Sequence, residues 1–211
     1  MIEIDLHHTL DRVTMITHDE DLAGLGGVGE IVHHNADRIR ALDAGEGQQV
    51  PTLDEVLDAF GPAIPFNLEI KWGSGGEYDG IEAAALTAVE SRGLLEQTLF
   101  SSFSDAILHH LRALSSAARI ALLVQPMTVE RSIERALELG AEALNPWIGM
   151  VDSELVRIAH AAGLAVHSYT VNAPHEMRRL MALGIDGMFT NYPDQLRSLV
   201  DIGPGSEIEQ E

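Results

Sequence analysis

Hydrophobic positions along the chain switch between two periods. From residue 66 onward, short apolar or β-branched runs alternate with longer segments whose apolar residues recur at helical spacing. The runs 66–71 (FNLEIK), 98–103 (TLFSSF), 120–125 (IALLVQ), 143–147 (ALNPW), 165–171 (AVHSYTV) and 187–191 (GMFTN) predict strands. The segments 79–92, 104–115, 128–140, 151–162, 174–183 and 192–200 predict helices between them. Ser104-Asp105 and Asp152-Ser153 supply helix start signals, and Gly93, Gly140, Gly163 and Gly184 fall where C-caps belong. Upstream, Ile2–Leu6 alternates apolar and acidic residues with the period of a strand, and Val13–Thr17 predicts a short partner before the Gly-rich stretch Gly24–Gly29.

Strands alternating with helices are the signature of a parallel sheet with crossover helices. Seven strand–helix units can be counted, one short of the eight in a TIM (β/α)8-type barrel, so the predicted class is α/β, a barrel without its first unit. Residues 1–202 read as one barrel domain and 203–211 as an acidic, disordered tail. A barrel lacking one strand exposes two sheet edges, and self-association through them is expected.

Charge narrows the function classes. The 211 residues carry 33 Asp+Glu against 13 Lys+Arg, a formal net charge of −20, which leaves no basic surface for nucleic acid and opposes docking on anionic membranes. The absence of cysteine removes disulfides, thiol nucleophiles and thiolate metal sites. No apolar run approaches a membrane span and no basic-then-apolar leader opens the chain, which together point to the cytoplasm. Lys71 is the sole lysine among otherwise all-arginine cations.

In such barrels, polar side chains at the C-terminal ends of strands face the catalytic mouth. Glu3 and Asp5 share one face of the first strand, Glu69 and Lys71 repeat the device on the next, and His18-Asp19 closes the run Val13–Thr17. Three carboxylates converging without cysteine describe a site for a hard divalent cation, Mg²⁺ or Ca²⁺, which in turn suggests a phosphate ligand. A lysine there would neutralise developing charge and a histidine would exchange a proton with the attacking or leaving oxygen. The competing reading of an alternating acidic strand is a solvated face. Asn145 and Trp147, at the end of a late strand, are candidates for substrate contact. His7 and His8 read as solvated residues of a surface turn, and His33, His34, His109, His110, His160 and His175 as structural.

Longer motifs are more specific. MIEIDLHHTLDRVTMITHDEDL resembles the Glu-x-Asp strand and hairpin ending in His-Asp of the glycerophosphodiester phosphodiesterases, and VPTLDEVLDAF resembles their Pro-Thr-Leu-x-Glu-Val-Leu segment. NLEIK, SSF, SYTVN and GIDGMFTNYP resemble their later motifs in the same order, so the resemblance spans residues 2 to about 198. It implies a small-molecule glycerophosphodiester substrate, metal-dependent hydrolysis to glycerol 3-phosphate and an alcohol, and a divalent cation held by Glu3, Asp5 and Glu69. It further implies that His18 is one of two catalytic histidines, that Lys71 lies on the phosphate side, and that Tyr169 packs on substrate where the family has Trp. The family's opening His-Arg-Gly and Glu-Asn-Thr motifs have no counterpart here. The alternative to an active enzyme is therefore a catalytically impaired pseudoenzyme or an N-terminally mispredicted fragment.

Overall fold

A computed structural model describes residues 1–202, so the acidic tail 203–211 lies outside the described residues. The chain forms two compact units, Met1–Ile120 and the part from Ala121 onward.

The first unit is built on β1 (Ile2–His8), whose pattern of alternating residues continues through Leu6 to His7. It pairs in parallel with β3 (Phe66–Ile70), from Ile2↔Phe66 to Leu6↔Ile70, and β3 pairs in parallel with β4 (Thr98–Ser102), from Phe66↔Thr98 to Glu69↔Ser101. The short β2 (Thr14–Ile16) runs antiparallel to the end of β1, matching Leu6↔Ile16, His7↔Met15 and His8↔Thr14. β2 is why β1 outlasts the expected end at Leu6: it supplies hydrogen-bonding partners for two more residues. Arg12 turns the hairpin with φ of 60°, a left-handed conformation unusual for a non-glycine, and its guanidinium lies 2.5 Å from Asp79.

Period-two alternation sorts each strand into two faces. Leu6, Phe66, Leu68 and Ile70 are buried on one face, while Glu3, Asp5, His7, Asn67 and Glu69 occupy the other. Helices α2 (Leu53–Phe60), α3 (Ile81–Glu90) and α4 (Asp105–Leu114) each bury one stripe: Leu53 and Leu57; Ile81, Ala85 and Val89; Ile107, Leu108 and Leu111. The segment between β2 and α2, including the short α1 (Ala36–Arg40), closes over its own cluster of Met15, Leu22, Ile31, Ile39 and Val50.

The second unit repeats the alternation. β5 (Arg119–Val124), whose first two residues end the first unit, leads into α5 (Val129–Leu139), β6 (Ala143–Pro146), α6 (Ser153–Ala161), β7 (Ala165–Ser168), α7 (Pro174–Leu183), β8 (Gly187–Met188) and α8 (Pro193–Ile202). The strands pair in parallel in that order, through Ala121↔Ala143, Leu144↔Val166 and His167↔Gly187. Gly140 and Gly184 cap α5 and α7 at φ of 66° and 78°, where a side chain would be strained. β7 and β8 are shorter than their apolar runs because pairing turns irregular: Phe189 N–H donates to Ser168 O and Val171 N–H to Phe189 O. Counting β1 and β3 to β8, there are seven parallel strands, β3 to β8 each followed by a helix and β1 by α1 and α2 after the hairpin strand β2, the α/β arrangement and unit count expected.

Local chemistry explains where α2 begins. Thr52 Oγ1 accepts from Glu55 N–H at 3.2 Å and Glu55 Oε2 accepts from Thr52 N–H at 2.9 Å, a reciprocal capping box, while Arg40 holds Glu55 at 2.6 Å. Burial is slight here; the Arg40 hydrogen bond and the Thr52 N–H hold the Glu55 carboxyl down at about 2. Thr52→Ala should cost about 1 kcal/mol of stability, read as a lower urea midpoint at unchanged m-value; no shift would show that the box contributes nothing.

Candidate active site

Parallel pairing of β1 with β3 in the register Asp5↔Glu69 sets two carboxylates side by side, and Glu3 lies one pleat away on the same face. Glu3, Asp5 and Glu69 each present an oxygen within 4.8 Å of the other two. Lys71 follows β3, its N–H donating to Leu6 O, and its ammonium reaches 2.9 Å from Asp5 Oδ1 and 2.5 Å from Glu69 Oε1. The structure thus brings together four of the residues singled out in the sequence, and they are largely buried, not a solvated acidic face.

Three carboxylates and one ammonium leave surplus negative charge in a poorly solvated place. Burial, then repulsion from Asp5 and Glu69, pushes the Glu3 carboxyl up to about 8. Burial raises Glu69 as well, against the pull of Lys71. Burial alone would lower the Lys71 ammonium, but Glu69 and Asp5 outweigh it and the net direction is upward. Glu3 Oε1 is buried with no hydrogen-bond partner among the described residues. An all-oxygen donor set with surplus charge and a spare buried acceptor fits a hard divalent cation.

His18 stands just past β2 with its side chain 80% exposed, and its Nδ1 lies 2.8 Å from Asp19 Oδ1. When Nδ1 carries the proton and donates to Asp19, Nε2 is the nitrogen with a free lone pair.

His7 and His8 correct the reading of a solvated turn: they are strand residues only 2% and 4% exposed. His7 shares the face of Glu3 and Asp5. Its Nε2 lies 3.4 Å from the His18 carbonyl, which can only accept, so Nδ1 is the acceptor for the Tyr78 hydroxyl at 2.7 Å. Burial lowers His7 to about 4. Burial, with Glu20 and Glu30 nearby, raises the Tyr78 phenol, which keeps its donor proton. His7 is therefore a neutral strut tying the loop after β3 to the backbone of His18. The unbroken alternation from Ile2 through His7 is the sequence signal that places it there.

Asn145, Trp147 and Tyr169 all lie in the second unit. Asn145 on β6 is fully buried, and Trp147 just beyond it is half-exposed. Trp147 forms a parallel bridge with Tyr169, Ile148 N–H donates to Tyr169 O, and the Tyr169 hydroxyl donates to Val124 O at 2.9 Å. Of the histidines read as structural, His110 pairs with Glu82 at 3.2 Å, His160 with Asp186 at 2.9 Å, His175 with Glu176 at 3.5 Å and His33 with Glu30 at 3.7 Å, and His34 Nε2 lies 2.9 Å from Val28 O.

Comparison with known proteins places these residues in context. The sequence profile of the glycerophosphoryl diester phosphodiesterase family matches residues 1–195. A glycerophosphodiester phosphodiesterase of Bacillus subtilis (strain 168) is 32% identical, over 92% of this chain and 74% of that protein. One from Caldanaerobacter subterraneus subsp. tengcongensis is 31% identical, over 96% and 86%. Among solved structures, an Oleispira antarctica phosphodiesterase in complex with the product sn-glycerol-3-phosphate superposes with a TM-score of 0.78 at 28% identity, over 94% of this chain and 84% of that one. Among the described residues no helix is long and apolar enough to cross a membrane.

The buried pair Glu3 and His7 makes metal-free stability depend on pH in opposite senses. Folded Glu3 keeps its proton up to about pH 8 while the unfolded carboxyl loses it near 4.5, so its contribution is lost as pH rises across that window. Folded His7 refuses a proton above about pH 4 that the unfolded ring binds below 6.5, so its contribution is lost as pH falls from 6.5 to 4. In chelator, Glu3→Gln should flatten the decline in urea-measured stability between pH 5 and pH 8. An equally steep decline in the variant would contradict the buried, protonated Glu3.

Proposed function

The chain belongs to the glycerophosphoryl diester phosphodiesterase family, and from that premise we propose that it hydrolyses glycerophosphodiesters to glycerol 3-phosphate and an alcohol with a divalent cation. The observation that carries this reading is the convergence of Glu3, Asp5 and Glu69 within 4.8 Å, with the Lys71 ammonium against two of them.

Glu3, Asp5 and Glu69 would hold Mg²⁺ or Ca²⁺, which when bound supplies Lewis-acid stabilisation of charge on a phosphoryl oxygen. Lys71 is held as an ammonium by its carboxylate neighbours, so it can bind a second non-bridging oxygen and oppose the charge that builds there in the transition state. The attacking group is water, which gives glycerol 3-phosphate directly, or the substrate's own glycerol hydroxyl, which gives a cyclic phosphate that a water then opens to glycerol 3-phosphate. As the attacking oxygen bonds to phosphorus, the bond from phosphorus to the alcohol oxygen breaks. His18 Nε2 takes the proton of the attacking group and returns one to the departing alcohol, so the histidine ends as it began. Asp19 favours the tautomer with Nε2 free and stabilises the imidazolium formed on the way. His7 has both nitrogens engaged and stays neutral, which suits a support for this region and not a proton carrier. Asn145, Trp147 and Tyr169 are proposed as substrate contacts on the strength of a buried amide with no described partner beside two aromatic side chains.

Three variants separate the roles. Glu69→Gln removes a charge from the donor set and should weaken Mg²⁺ and Ca²⁺ binding strongly in calorimetry; unchanged affinity would remove Glu69 from the site. Lys71→Met should lower turnover of glycerophosphocholine by about 10²–10³. His18→Ala should lower it by about 10²–10⁴ with the loss concentrated in kcat. Turnover at the wild-type rate in either would exclude that residue from the reaction.

A further inference from the structure

On β4 the two faces treat buried hydroxyl groups differently. Thr98 Oγ1 donates to Leu94 O at 2.9 Å and Ser102 Oγ donates to Ile70 O at 2.8 Å, so the hydroxyls facing away from the site are satisfied. Ser101 lies between them on the opposite face, is 0% exposed, and its Oγ has no partner among the described residues. Asn67 on β3 is 1% exposed, and neither its amide oxygen nor its amide nitrogen is paired there. Unpaired buried polar groups are uncommon, because each loses its water and receives nothing in return.

The register says what these two groups face. In the β1–β3 pairing Asn67 is the partner of Glu3, and in the β3–β4 pairing Ser101 is the partner of Glu69. Partners in a parallel pair stand side by side on one face, about 4.8 Å apart between strands. Glu3 and Glu69 of the donor set therefore each have a buried, unused hydrogen-bond donor as lateral neighbour. The Lys71 ammonium meets Asp5 Oδ1 at 2.9 Å and Glu69 Oε1 at 2.5 Å, which leaves the second Glu69 oxygen and the Glu3 carboxylate to other donors.

We propose that Asn67 and Ser101 are positioning residues for the divalent-cation site, donating to Glu3 and Glu69 respectively when those carboxylates engage the ion. This rests on the reading that Glu3 and Glu69 are ligands. A ligating carboxylate that gives one oxygen to a cation keeps a second oxygen that needs a donor. Carboxylates so held lose less freedom when they bind and stay aimed at the ion. The Asn67 amide N–H and the Ser101 O–H are the donors within lateral reach, and neither has another partner among the described residues. Their unsatisfied state without the ion is then the local cost of a site built for its loaded form.

The test compares cation affinity with metal-free stability in Asn67→Leu, which keeps the branched shape and the number of heavy atoms, and Ser101→Ala, which deletes the hydroxyl; both remove the donor. Titration calorimetry with Mg²⁺ and with Ca²⁺ should show affinity weakened about 10- to 100-fold in Asn67→Leu, and by a smaller factor in Ser101→Ala. In chelator, both variants should melt at or above the wild-type Tm, because a polar group without a partner has been replaced by an apolar one. Wild-type affinity in a variant overturns the assignment for that residue. A fall in the metal-free Tm alongside weaker binding also overturns it, since that is what a packing role would give. Failure of the wild-type protein itself to bind either cation would instead refute the metal-dependent reading on which the proposal stands.

Discussion

Everything at the candidate active site depends on the register between β1 and β3. Pairing Asp5 with Glu69, and Glu3 with Asn67, gathers three carboxylates on one buried face of two adjacent parallel strands. Like charges in a poorly solvated place repel, and the strands can hold them there only because a counter-charge is supplied. Lys71, the chain's sole lysine, supplies one such charge from the same face of the next pleat. A single ammonium is not enough for three acids, as the upward displacement of Glu3 to about 8 records. The face is short of positive charge, and that shortage is what a divalent cation would relieve.

The rest of the first unit maintains that register. Leu6, Phe66, Leu68 and Ile70 on the reverse face are packed out of water, so sliding either strand by one residue would turn apolar side chains toward the acids and acids toward the core. β2 extends β1 far enough to bury His7, whose two ring nitrogens link the Tyr78 loop to the backbone of His18. One neutral histidine thereby couples the position of the exposed histidine to that of the loop after Lys71. Among the described residues of the first unit, Glu3 Oε1, Asn67 and Ser101 are left unpaired on the carboxylate face and His8 Nδ1 on the reverse face, whereas the hydroxyls on the other face of β4 are satisfied.

Much of this was legible in the chain. Strict alternation in Ile2–Leu6 and in Phe66–Ile70 determines which residues share a face, because a strand has a period of two whatever its surroundings. Apolar stripes at helical spacing and glycines such as Gly140 and Gly184 mark the helices and their ends, because those signals act within a turn or two of chain. The carboxylates, Lys71 and His18 could be picked out by residue type and place at strand ends.

What neighbours decide was not legible. His7 and His8 look like a polar pair ending a strand, and only the partner β2, which returns after a five-residue turn, converts them into buried strand residues. The lateral pairing of Glu3 with Asn67 and of Glu69 with Ser101 joins residues more than thirty positions apart, and no local pattern in either segment specifies it. The elevated Glu3 and the depressed His7 likewise follow from burial, which is the sum of everything packed around a group. The sequence by itself determined the alternation, the strand–helix order and the supply of chemistry, since these rest on short-range stereochemistry. Register, burial and the charge balance at the acids were decided only by the tertiary structure, because each depends on strands brought together across long stretches of chain.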